Sequence, residues 1–474
     1  MLSAEVAELF TKNFPYTPTS DQSILIEKLS EFIVSGEQNK LFLVKGYAGT
    51  GKTTMVSVLV KILPELKLNT VLLAPTGRAA KVLSSYSGEP AYTIHKGIYK
   101  INEDDSAWFV NLRENKSKNT IFIVDEASMI AGEMASPSQL FPASNLLEDL
   151  LTFVFSGENC SMIFVGDTAQ LPPVGSDISP ALNEEYLKSS FHLNTQSFEL
   201  TEVVRQEEAS GILANATHIR KLVNAPKFKN IFFETSGFKD VIRLNGSELE
   251  DALNTAYSGS GETESIMICR SNKRANLYNN EIRRRLLFRE GDINAGDKIM
   301  IVKNNYFWIS KKSKAGFIAN GDIAEVLRIK KIEQFTEEFF FADATIRLID
   351  YPEEKDIEVK LLLNTLTSES PSLSITDFRK LFQAVQENYM HIPEKNKRYR
   401  LIYNDPYMNA LQIKFAYAMT CHKTQGGQWE NVFVEQGYLT DEMVNKEYLR
   451  WLYTAVTRGT KKLYLVNFNE QFFR

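Results

Sequence analysis

Cysteine is scarce in this chain, three residues among 474. Cys160, Cys269 and Cys421 are scattered and form no Cys-x-x-Cys pair, which argues against a disulfide framework and a structural zinc site. Long apolar runs are also missing: none approaches the ~20 residues that a membrane span requires. The opening residues, MLSAEVAELFTKNF, place acids in a helical pattern instead of the basic start of a signal sequence, so a cytoplasmic protein with no membrane association is expected. There is no strong excess of one charge. The net charge of −5 argues against a blanket electrostatic grip on nucleic acid and leaves a local basic groove open. Repeats, low-complexity tracts and coiled-coil heptads are absent. What is present is an ordinary globular composition, 43% hydrophobic and 24% charged, in a chain long enough for two or more domains.

The most informative stretch is GYAGTGKTT at residues 46–54, which follows the apolar run LFLV and precedes a helix-forming segment. Gly46, Gly51, Lys52 and Thr53 match G-x-x-x-x-G-K-[ST]. In that pattern the loop's backbone N–H groups, here from Ala48, Gly49, Thr50 and Thr54 among others, wrap phosphates, the lysine reaches the terminal phosphates and the hydroxyl holds Mg²⁺. Binding and hydrolysis of a nucleoside triphosphate are implied, with ATP and Mg²⁺ as the expected ligands.

Four short apolar runs in the first 200 residues end at polar or small residues: LFLV before Gly46, TVLLA before Pro75, IFIV before Asp125 and MIFV before Gly166. Strands buried on both faces read this way, and chemistry collects at their carboxyl ends. The pattern returns with IMIC (266–269), VFV (432–434) and LYLV (463–466), so a second α/β core is expected. Between them, ATIRLID and DIEVKLLL flank the turn YPEEKD, followed by a helical stretch near 375–388. The expected fold class is α/β with two parallel-sheet phosphate-loop cores. The expected boundaries are 1–200 for the first core, 201–320 with 406–474 for the second, and 321–405 for an inserted β-rich module. A hairpin is expected at 97–112, within an insertion reaching 120, where IYKI and AWFVNL flank NEDDS. Basic stretches with aromatics lie at 270–285, 303–314 and 393–400, and for each taken alone a solvated helix or loop face is the favoured reading.

Asp125 and Glu126 follow the strand IFIV, where one carboxylate can hold Mg²⁺ opposite Thr53 and the other can orient or deprotonate water. Gln170, in GDTAQLPPV, lies on the same sheet edge and can sense the γ-phosphate. Gln22 sits in TSDQ, a good capping box with Thr19 as N-cap, and capping is the reading its residues favour over adenine recognition.

Ten segments occurring in order resemble the superfamily 1B DNA helicases of the RecD-like and Dda-like group: PTSDQ, GYAGTGKTT, APTGRAAKVLS, YTIHKGIY, IVDEAS, VGDTAQLPPV, LTEVVRQ, MICRSN, YAMTCHKTQGGQWENVFV and LYTAVTRG. The resemblance covers nearly the whole chain. It implies two RecA-like cores, with Arg205 and Arg458 as γ-phosphate arginines, Gln22 as an adenine contact and Gln170 as a sensor. It also implies single-stranded DNA crossing both cores. The contacts would be Pro75, Thr76, Arg78, Thr93, His95 and Lys96 from the first core and Thr420, His422, Lys423, Thr424 and Gln425 from the second. For His95 and His422 taken singly, a packing role is the alternative, and for Arg458 it is a surface helix cap. The hairpin would separate strands at a forked duplex, with Trp108 or Phe109 stacking at the fork or anchoring the hairpin to the core. The 321–405 module would be a small β-barrel, although its helix exceeds what a minimal barrel needs.

The activity so implied is ATP-dependent 5′-to-3′ unwinding. A translocase that displaces proteins without efficient unwinding is the alternative, and a small-molecule kinase shares only the phosphate loop.

Overall fold

Apolar runs buried on both faces pair side by side under covering helices, and this chain builds two such sheets. The computed structural model describes residues 2–104, 107–132, 145–204, 210–227, 231–309, 313 and 317–473, with backbone only over the described part of 101–110. The first eight strands are β1 (Lys40–Gly46), β2 (Asn69–Ala74), β3 (Ala91–Thr93), β4 (Tyr99–Asp104), β5 (Ala107–Leu112), β6 (Lys118–Val124), β7 (Glu158–Gly166) and β8 (Asn194–Leu200). Six form a parallel sheet in the order β3-β2-β6-β7-β1-β8. Alternate residues feed opposite faces: Phe42 and Val44 join one apolar cluster, Leu41 and Leu43 the other. The strand β8, NTQSFEL, escapes sequence recognition because this edge strand opens on four polar residues and carries only Phe198 and Leu200 as apolar ones.

After β9 (Val241–Leu244) and β10 (Ser265–Cys269), five strands close a barrel: β11 (Lys298–Ile301), β12 (Ile323–Gln334), β13 (Phe340–Leu348), β14 (Ile357–Leu362) and β15 (Leu411–Phe415). The last three strands, β16 (Ala418–Thr420), β17 (Trp429–Glu435) and β18 (Gly459–Val466), join β9 and β10 in a second parallel sheet of order β16-β10-β17-β18-β9. The barrel therefore begins and ends outside the expected 321–405 interval. Its first and last strands, KIMI and LQIKF, are short buried runs that composition cannot tell from core strands. The helices Ile375–Glu387 and Lys395–Tyr403 lie between β14 and β15 and bury Leu381, Val385 and Ile402 against Phe341 and Leu362 of the barrel wall.

The pair β4-β5 forms a separate antiparallel hairpin. It starts at Tyr99 rather than Gly97. Gly97 belongs to the short helix Ile94–Ile98, where a Cβ would stand 2.6 Å from Leu73 of β2. Trp108 and Phe109 pair with Glu103 and Asn102, one and two steps from the last pair, Asp104 with Ala107. Their side chains lie outside the described residues. The helix Lys395–Tyr403 lies against β5, so the barrel's helical cover reaches the hairpin. Among the described residues, no helix is long and apolar enough to cross a membrane.

A buried ion cluster joins the barrel to the second sheet. Asp297, fully buried at the start of β11, accepts from Arg283 Nε at 3.0 Å and Nη2 at 2.9 Å, from Arg289 Nη1 at 3.2 Å and from the Tyr417 hydroxyl at 3.2 Å. Removing one member of such a cluster strands its buried partners, a cost of about 3–5 kcal/mol. Asp297→Ala is therefore expected to lower the unfolding free energy from a urea titration by that margin, seen as an earlier midpoint, and a wild-type midpoint would show the cluster to be energetically neutral.

Candidate nucleotide cleft and strand path

The phosphate loop forms because its glycines permit what other residues resist. Gly49 and Gly51 take φ of +76° and +87°, and a Cβ on Gly51 would meet Gln22 Nε2 at 2.4 Å. The helix Lys52–Ile62 follows at once, its N-terminal N–H groups open toward the loop. Lys52 Nζ donates to the carbonyls of Gly46 at 2.7 Å and Tyr47 at 2.8 Å. Gln22 does what its sequence context favours: Oε1 accepts from Thr19 N at 3.1 Å in a capping box, while Nε2 donates to Thr50 O at 3.1 Å. One amide thus caps a helix and braces the phosphate loop.

Because β7 lies beside β1 in the sheet and β6 beside β7, Asp167 and Asp125 emerge at the same sheet edge as the loop. Asp125 accepts from the Tyr86 hydroxyl at 2.6 Å and from Glu126 N at 2.8 Å. Each carboxylate oxygen keeps a further lone pair, and Thr53 presents an exposed hydroxyl at the start of the loop's helix. A hydroxyl and a carboxylate are hard oxygen donors that fit Mg²⁺, which retains water and arrives with phosphates. Glu126 holds a left-handed φ of +51°. Burial raises its carboxyl above the usual range, Arg458 offsets part of that rise, and Asp125 pushes it up further. A carboxyl so tuned suits proton transfer to or from water.

The second core closes over this edge. Arg458, 4% exposed, lies 3.9 Å from Glu126 and donates to Thr454 O at 3.1 Å, Gly427 O at 3.2 Å and Thr457 Oγ1 at 3.2 Å. It caps its helix and faces the carboxylate at the same time, and it is buried rather than superficial. Gln170 is buried, 6% exposed. Arg205 lies outside the described residues; its neighbour Val204 donates its amide to Gly49 O at 3.0 Å.

Residues not anticipated from the sequence tie the halves together. Tyr453, on the helix Lys446–Val456, donates its hydroxyl to Asp167 at 2.6 Å and accepts from Ala48 N at 2.9 Å. Thr454 Oγ1 accepts from Leu171 N at 2.9 Å. Aspartate at the end of β7 is a signal the strand-end rule could have found. Tyr453, in contrast, reads as one more core aromatic.

The residues expected on a strand path divide into two groups. Thr76 and Thr93 are N-caps, accepting from Ala79 N and Lys96 N at 3.2 Å. Pro75, Thr420, His422, Lys423 and Lys96 are half-buried near the surface, with Lys96 over the Tyr92 ring at 4.8 Å. Burial brings Lys423 down to about 8 and His95 down to about 4, and lowers His422 as well. The histidines are therefore neutral near pH 7 and offer no charge to a phosphate. Thr424 and Gln425 need correction: both are buried, Thr424 donates to Cys421 O at 2.7 Å, and Gln425 Nε2 donates to Leu171 O at 2.8 Å. They join turn and core rather than face solvent. Arg78 is likewise engaged, stacked on Trp429 at 4.0 Å and donating to Gln428 O at 3.1 Å.

Two parallel-sheet cores, one carrying a phosphate loop and the other an arginine at its catalytic edge, define a phosphate-loop NTPase of the two-core motor class. Residues 21–225 match the AAA domain family and residues 415–466 the UvrD-like helicase C-terminal domain family. The chain is 23% identical to the ATP-dependent DNA helicase Dda of Enterobacteria phage T4, over 89% of this chain and 93% of that protein. It is 24% identical to the RecBCD enzyme subunit RecD of Buchnera aphidicola, over 92% of this chain and 72% of that protein. An uncharacterised protein of Methanocaldococcus jannaschii is also 24% identical over 93% of this chain, which spans only 38% of its length. Over most of its length the chain is thus similar to RecD and Dda helicases.

Tyr453→Phe keeps the ring and deletes the hydroxyl that holds Ala48 and Asp167. Nucleoside triphosphate turnover is expected to fall about tenfold, with KM moving by less than about threefold, because the lost contact sets the alignment of the cores more than ground-state binding. A change confined to KM would assign the hydroxyl to nucleotide binding instead.

Proposed function

We propose that this chain is an ATP-driven DNA helicase that moves 5′ to 3′ along a single strand and separates the duplex ahead of it. The observation that carries the reading is the shared edge: Glu126 from one core and Arg458 from the other meet at 3.9 Å. In hydrolysis, a water oxygen bonds to the γ-phosphorus as the bond to the bridging oxygen breaks, and ADP leaves with the electron pair. Glu126 takes the water proton. Lys52 and Arg458 face the charge that builds on the equatorial oxygens, with Arg205 as a second arginine and Gln170 sensing the γ-phosphate. Thr53 and Asp125 would hold Mg²⁺, which would neutralise phosphate charge. Because an arginine from the second core serves the first core's chemistry, each turnover is coupled to closing and opening of the cleft.

Single-stranded DNA and forked duplex DNA are the proposed partners. Thr76, Lys96, Thr420 and Lys423 lie in segments from both cores, and hydroxyls and amines grip phosphates without reading bases; Thr93, 4% exposed and capping its helix, is left out of that set. The hairpin β4-β5 acts at the fork. The polarity rests on the family resemblance.

Arg458→Ala is expected to cut DNA-stimulated ATP turnover by roughly 10³-fold with a smaller change in nucleotide affinity. Loss of affinity alone would reassign the arginine. In tailed-duplex assays, unwinding should require a 5′ single-stranded tail, and Trp108→Ala or Phe109→Ala should lower unwinding well below its effect on ATPase. A 3′-tail preference overturns the polarity. ATPase without strand separation on any tail would favour the translocase.

A further inference from the structure

Beside the catalytic edge lies a cavity of about 600 Å³ that phosphate-loop chemistry does not account for. It opens at the carboxyl ends of β1 and β7, between the first core and the helix Lys446–Val456 of the second, and Asp167 and Gln170 form its inner wall. Four buried polar atoms on its lining have no hydrogen-bond partner: Ser128 Oγ, Ser179 Oγ, Gln170 Oε1 and Arg450 Nε. Ser128 is 1% exposed and Gln170 6%. Buried polar groups left unpaired cost free energy, so several converging on one chamber mark a space built for a polar occupant.

The chemistry of the lining narrows that occupant. Two hydroxyls and a guanidinium N–H donate, and Lys45 adds an ammonium group to the wall, while Lys188 is paired with Glu184. Two of the three acids facing the same space, Asp167 and Glu184, already have partners. Asp167 accepts from Tyr453 and from Ala169 N at 2.9 Å, and Glu184 pairs with Lys188 at 2.7 Å and with Ser197. Glu185 points to the solvent-exposed rim. Gln170 can present either end of its amide, acceptor or donor. Donors carried by three separate segments, Ser128, Ser179 and Arg450, suit a tetrahedral oxyanion rather than a cation or a planar base.

We propose that this chamber binds inorganic phosphate and is the route by which the cleaved γ-phosphate leaves the cleft while ADP still occupies the loop. The proposal rests on the ATPase reading above. Ser128, two residues from Glu126, and Gln170 then also pass the product outward to Arg450 and Ser179. Arg450 belongs to the second core, so opening of the cleft would remove one wall and free the anion.

The test uses the full chain with ADP bound and radiolabelled orthophosphate in equilibrium dialysis. Arg450→Gln is expected to weaken phosphate binding about tenfold, the loss of one charge-assisted hydrogen bond. Arg450 also donates to Asp177 O across the cores, so Ser179→Ala, which leaves that contact intact, provides an independent variant expected to act in the same direction. In single-turnover experiments both variants should cleave ATP as the wild type does and release phosphate more slowly. Orthophosphate binding equal in all three proteins, with normal ATP cleavage, would mean a water-filled chamber only and would overturn the proposal while the helicase reading stands. A wild-type chain that cleaves no ATP would overturn both.

Discussion

One hydroxyl ties the second core directly to the phosphate loop of the first. Tyr453 is 1% exposed, comes from the second core, and sits between the Ala48 N–H of the phosphate loop and the carboxylate of Asp167. Because it donates to one group and accepts from the other, neither can move without breaking a buried hydrogen bond, and breaking one leaves a polar group unsatisfied away from water. The same helix sends Thr454 to the Leu171 amide and ends at Arg458 beside Glu126. Neither core owns a complete site.

The segments proposed to follow the DNA strand are tied to the same closure. A Cβ on Gly426 would stand 2.7 Å from Ala79, so the turn of one core packs directly on the helix of the other. Gln425 reaches Leu171, and Arg78 stacks on Trp429. The barrel joins in through Asp322, whose fully buried carboxyl crowds Gly77 so closely that a Cβ there would lie 2.1 Å from Oδ1. Burial pushes that carboxyl up to about 8, which keeps it uncharged at neutral pH against the helix that Thr76 caps. A shift of the cores that opens the nucleotide edge therefore also disturbs the surface proposed for the strand, with no separate linkage required.

Buried helical cover on the barrel extends this continuity to the hairpin. The helix Lys395–Tyr403 packs Ile402 into the barrel wall and lies against β5. Asp297, with Arg283 and Arg289, fixes that barrel to the second sheet. The hairpin of the first core thus meets an element anchored to the second.

The sequence by itself determined the parts whose meaning is local. GYAGTGKTT is legible because a loop that wraps phosphates needs glycine φ values and an adjacent helix N-terminus. LFLV, IFIV and MIFV are legible because two-sided burial writes continuous apolar runs. The capping role of Gln22 was legible too, since N-cap and N3 are three residues apart. Only the tertiary structure decided what depends on distant residues. Tyr453 meets Ala48 across 405 positions, Thr424 and Gln425 turn inward although hydroxyl and amide chemistry suits a phosphate, and β11 and β15 close a barrel that their composition does not distinguish from a core sheet. Spacing along the chain encodes a turn or a cap, whereas partners brought together by closing two domains leave no periodic trace in the sequence.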